Sequence, residues 1–100
     1  MINLNERINT TKEIINFEGE KIHLLPATRD VYNTLFSFLN LEDKDLIRVS
    51  DTLAETTISL INNNVENYVV SKENEKYFTI DACLEILTDY IETFNALLGE

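Results

Sequence analysis

A single cysteine, Cys83, leaves this chain without an internal disulfide and without a zinc site built mainly of thiolates. That scarcity fits a reducing compartment. The one proline, Pro26, and the two glycines, Gly19 and Gly99, supply neither a flexible linker nor a glycine-rich phosphate loop. No apolar run approaches the ~20 residues that span a bilayer. The first eleven residues lack the basic flank and continuous apolar stretch of a secretory leader. Basic residues are also scarce, eight against eighteen acidic ones, for a net charge of −10. Such a surface repels nucleic acid phosphates and anionic lipid headgroups, so neither nucleic acid nor membrane is an expected partner.

What is present suits one domain. One hundred residues with 44% apolar content can bury a single hydrophobic core. Twelve asparagines and eleven isoleucines, both with AT-rich codons, mark the genome more than the chemistry. The reading is α+β, mostly α: an N-terminal β-hairpin, then a small helical bundle with a long C-terminal amphipathic helix. Residues 1–12 resist assignment, 13–25 hold the hairpin and 28–98 the helical part.

A turn at Glu18-Gly19 with a two-residue loop pairs Ile15 with Ile22 and Phe17 with Glu20. It puts Ile15, Phe17, Ile22 and Leu24 on one face, as a half-buried hairpin requires. Pro26 stops the second strand, and Thr28 is placed to cap a helix that runs to about Leu39, with Asp30 at its positive end. Glu42, Asp43 and Asp45 load the start of a second helix, which Leu46, Val49, Leu53 and Leu60 carry down to Ile61. Asn62-Asn63-Asn64 ends it. Residues 65–70 fit a helical turn or a strand, and 71–76 read as an exposed loop.

The last helix is the clearest element. Thr79 caps it, it runs from Ile80 to about Leu98, and Gly99 sits where a terminal glycine belongs. Cys83, Leu87, Tyr90, Ile91, Phe94, Leu97 and Leu98 share one arc, opposite Asp81, Glu85, Asp89 and Glu92. Leu84 and Ile86 widen the apolar arc to about 160°, beyond the ~100° stripe of a helix packed on one surface. This helix should therefore meet two neighbours, and a second protein or a second copy of this chain could be one of them.

No assembled chemistry is visible. The acidic ladder lacks the Glu-x-x-His pairs of carboxylate-bridged metal bundles, since the lone histidine, His23, lies in the hairpin. Cys83 stands within the apolar arc with no histidine at a catalytic spacing, so a buried inert thiol is expected. Ser50, Ser59 and Ser71 are in no nucleophile elbow. The chain is read as no enzyme, with no cofactor and no metal. Tyr77-Phe78, just before the final cap, fits either a hydrophobic staple or a contact surface. Leu84, Ile86, Tyr77 and Phe78 are the candidate protein-binding residues.

The layout resembles a known family. The hairpin Ile14-Ile15-Asn16-Phe17-Glu18-Gly19-Glu20-Lys21-Ile22-His23-Leu24 leads through Pro26 into helices, and Tyr77-Phe78-Thr79 opens a long terminal helix. This is similar to the tail assembly chaperones of long-tailed, siphovirus-type bacteriophages and of prophages in Gram-positive bacteria. The resemblance implies a protein of the bacterial host cytoplasm that coats the tape measure protein and recruits tail tube subunits. It also implies a longer frameshifted product, with which an end at Glu100 is compatible. The competing expectation is an acidic phage-type inhibitor that mimics nucleic acid and blocks a host DNA-binding enzyme. Lys21, Arg29, Lys44, Arg48, Lys72 and Lys76 interrupt the acidic surface everywhere except the last helix, which favours the chaperone.

Overall fold

The computed structural model describes Leu4 and residues 10–98, with side chains described as far as Phe94. The expectations for the other residues before Thr10, for Leu97 and Leu98 as core and for Gly99 as a cap lie outside that range. Strands β1 (Lys12–Ile15) and β2 (Lys21–Leu24) form an antiparallel hairpin. Four helices follow: α1 (Arg29–Leu39), α2 (Asp43–Arg48), α3 (Ser50–Asn62) and α4 (Ile80–Leu98), with a 3-10 segment, Lys72–Tyr77, before the last. The fold is α+β, mostly α.

The hairpin register differs by one residue from the two-residue-loop expectation. Ile14, not Ile15, faces Ile22, and Lys12 faces Leu24. The cause is local. The Asn16 side-chain oxygen accepts the amides of Glu18 (3.0 Å) and Glu20 (2.9 Å), and the Asn16 amide donates to the Glu20 carbonyl (2.8 Å). These bonds close a three-residue loop, residues 17–19, in which Gly19 takes φ +81°, a left-handed value that suits glycine. A shift of one residue turns a strand over. Ile22 and Leu24 therefore share the inner face with Ile14, while Ile15 and Phe17 stay 65% and 47% exposed.

The single helix expected over residues 45–61 is two. Val49, at φ −107° and ψ 17°, breaks it between α2 and α3. Val49 and Ser50 are adjacent weak helix formers, one stiff at its β-carbon and one with a competing hydroxyl. The break leaves both Leu46 and Leu53 in the core. Thr28 stands at the start of α1 but contributes no side-chain cap; its carbonyl accepts from Tyr32 instead. Thr79 does cap α4, accepting from the Ala82 amide at 3.3 Å.

α3 packs along α4 at small, fully buried residues. Thr57 and Cys83 meet at this crossing, and the Thr57 hydroxyl is satisfied by the Leu53 carbonyl at 2.8 Å. Small side chains let two helices approach closely, with Leu53, Leu60 and Leu87 filling the space around them. α1 meets α4 through rings: Tyr90 lies 4.7 Å from Phe94 and 6.1 Å from Tyr32, centroid to centroid. The Tyr90 hydroxyl donates to the Leu25 carbonyl at 2.7 Å, tying the end of the hairpin to the middle of α4. Burial pushes this phenol well above its ordinary range.

After α3 the chain is ordered by asparagines. The Asn64 amide group donates to the carbonyls of Ile61 and Tyr68 and accepts from the Tyr68 amide, each at 2.8 Å, and the residue is buried. Asn62 accepts from the Val70 amide, and Asn67 adopts φ +60°. Residues 65–70 are thus neither helix nor strand, but a loop wrapped on Asn64. Leu24 bridges Asn64, the Leu25 amide donates to Asn63 and the Val65 amide donates to His23, so the outer edge of β2 is covered.

Candidate functional site

Of several concavities among the described residues, one has an almost wholly apolar lining. It is a cleft of about 240 Å³ between β1 and α4. Lys12, Ile14, Ile15, Asn16 and Phe17 form one wall and Ile86, Asp89 and Tyr90 the other. Leu24, Ile61, Tyr68 and Phe78 complete the lining. Its volume falls below the ~300–1,000 Å³ usual for small-molecule sites.

Aromatic side chains extend the cleft to the surface. The Phe17 ring lies edge-on to Phe78 at 5.9 Å and tilted against Tyr77 at 6.1 Å. Tyr77 is 57% exposed, with the Lys76 ammonium 5.3 Å from its ring centroid. Of the residues expected to bind, Phe78 is buried and Ile86 half-buried, and both line the cleft. Tyr77 stands at its rim, while half-buried Leu84 lies outside it on the outer face of α4. Ile15 and Phe17 also line the cleft, where the two-residue loop would have turned them inward to the core.

The rim is charged on the helix side. Lys12 reaches Asp89 at 3.0 Å, closing one end of the cleft. Ile86 and Asp89 belong both to the cleft and to a shallow depression on the outer face of α4 with Leu84, Glu85 and Glu92. The acidic ladder Asp81, Glu85, Asp89 and Glu92 is exposed along its length. Among the described residues no group of three His, Cys, Asp or Glu side chains is placed to hold a metal ion.

The outer edge of β1 is the other distinctive feature. The Asn16–Glu20 pair is hydrogen-bonded, and antiparallel pairs alternate between bonded and non-bonded. Glu13 and Ile15 therefore direct their backbone N–H and C=O groups away from β2. Among the described residues nothing pairs with that edge.

His23 projects from the outer face of the hairpin. Its ring Nδ1 lies 2.6 Å from Glu66, whose other oxygen accepts the His23 amide at 2.8 Å. The His23 ring and amide bonds together hold the Glu66 carboxyl below its ordinary range. Cys83 is fully buried at the α3–α4 crossing, and burial pushes its thiol up, away from the reactive thiolate. No helix among the described residues is long and apolar enough to cross a membrane. Compared with protein-family models, with curated proteins and with solved structures, the chain matches none.

Proposed function

We propose that this chain is a non-enzymatic protein-binding protein, and that it serves as a tail assembly chaperone of a long-tailed phage or prophage. In that role it holds the tape measure protein and recruits tail tube subunits in the host cytoplasm. The observation that carries the binding reading is the cleft between β1 and α4. Ile15, Phe17 and Tyr77 remain exposed around it as a cluster, whereas the exposed Phe36, Ile47, Val65 and Val69 do not line it. The chaperone reading rests on layout: a hairpin, Pro26, short helices and a long last helix opened by Tyr77-Phe78-Thr79. The exposed acidic face of α4 supports a second reading, the nucleic acid mimic. Lys12 partly neutralises that face at Asp89, at the middle of the ladder, which weakens it.

Affinity capture from cells that co-express the neighbouring genes tests both. A long, helix-rich structural protein held by the wild type and lost with Ile86→Glu is the expected result. A nuclease or restriction enzyme held through the acidic face would favour the mimic. Capture of neither would overturn both readings.

A further inference from the structure

We propose that the outer edge of β1 receives an extended segment of a partner protein, which adds to the hairpin as a further antiparallel or parallel strand. The inference rests on the protein-binding reading and specifies the mode. Strand addition needs three things: backbone groups without partners, room beside them for alternate side chains, and a rim that selects the segment.

Each is present. Glu13 and Ile15 offer two N–H and two C=O groups on the edge, while the opposite edge of the hairpin is already covered by residues 63–65. The cleft runs beside β1 from Lys12 to Phe17, with Ile86 across from it. Successive inward side chains of an added strand fall about 6.7 Å apart. Such a strand would set an aliphatic or aromatic side chain on Ile14 and Ile86, and the next inward one towards Phe78.

Charge selects the occupant. Asp89 stands on the α4 wall of the cleft, Glu85 and Glu92 lie on the adjoining outer face of that helix, and Glu18 and Glu20 flank the far end of the hairpin. Lys12, the cation within the cleft lining, is engaged by Asp89. A segment that alternates apolar residues with lysine or arginine complements this rim. A second copy of this chain does not, because each brings a net charge of −10 and its own Glu13 to the edge. Lys12 on the inner face also blunts the start of β1, as edge strands commonly require, and so confines pairing to the stretch from Glu13 onwards.

The test uses two synthetic peptides of about nine residues, the length of a well-formed strand. One alternates valine with lysine. The other has the same charge but is leucine- and alanine-rich, to favour a helix. Binding to the full chain is followed by fluorescence anisotropy and by amide hydrogen exchange. The alternating peptide should bind the more tightly and slow exchange at Glu13 and Ile15. Ile15→Pro removes an outward N–H at an edge position where proline is tolerated. It should weaken that peptide about tenfold or more, with the circular dichroism spectrum unchanged. Binding that survives Ile15→Pro, or that leaves both amides unprotected, would overturn strand addition. Preference for the helical peptide, lost with Ile86→Glu but not with Ile15→Pro, would also overturn it while sparing the protein-binding reading. If neither peptide binds, the inference fails, and capture of the natural partner still judges the function separately. Sedimentation of the chain alone as a dimer that Ile15→Pro dissolves would assign the edge to a second copy and overturn the proposal.

Discussion

The two sides of α4 are built on opposite rules. Towards α3 and α1, its residues Cys83, Leu87 and Tyr90 are almost wholly buried and meet small or aromatic partners. Towards β1, Ile86 and Asp89 face a gap that the hairpin does not fill. One helix thus supplies both the centre of the core and the wall of an open cleft. The breadth of its apolar arc follows this division: one part holds the fold together, and the margin at Ile86 packs partly on the core and lines the cleft.

Mutations on the two sides should separate stability from binding. Leu87→Ala breaks the closed side and should cost roughly 2–5 kcal/mol, seen as a large fall in the urea midpoint. That is a substantial part of the ~5–15 kcal/mol of a typical domain. Asn64→Ala removes three hydrogen bonds that order the loop beneath the cleft and leaves the Ile61 carbonyl without its side-chain donor. A loss of roughly 2–3 kcal/mol is expected from the same titration. Ile86→Glu belongs to the open side. It should cost about 1 kcal/mol while abolishing partner capture. If it unfolds the chain as Leu87→Ala does, the two sides are not distinct.

The smallest effect concerns acid. The Glu66 carboxyl is held below its ordinary value near 4.5 by the His23 ring and amide. A carboxyl depressed in the folded state contributes stability above its unfolded pKa and loses it as pH falls through the folded pKa. Thermal melting should therefore drop as pH falls below about 4.5, and Glu66→Gln should flatten that part of the profile. An unchanged profile in the variant would show that the clasp contributes nothing to folding.

Helical periodicity made α4 legible almost completely, because nineteen residues repeat the signal through five turns. The hairpin was legible as an element and not as a register. Ile14 and Ile15 are both aliphatic, so alternation cannot decide between them, and the decision passes to the loop. The informative residue was Asn16, whose side chain favours a turn over its own following amides. Asparagine abundance hid that role, and Asn62 and Asn64 were hidden in the same way. The break at Val49 carried no glycine or proline to announce it. The cleft itself could not be read, since it follows from which face of β1 looks inward. The edge of the helix pattern points to Phe78 and Ile86, which line the cleft, whereas the two-residue loop would place Ile15 and Phe17 in the core.

The three residues of the hairpin loop make β1 unusually sensitive to length. Adding or deleting one residue there would exchange the two faces of the strand, turning Lys12 and Ile14 outward and Glu13 and Ile15 inward. Lys12 would lose Asp89, and a carboxylate would be driven towards the core. Substitution at Phe17 or Glu18 leaves that arithmetic untouched, and only Asn16 and Gly19 are bound to their identities by the turn. Over evolutionary time, residues 17 and 18 should accept changes of spelling far more readily than the loop accepts changes of count.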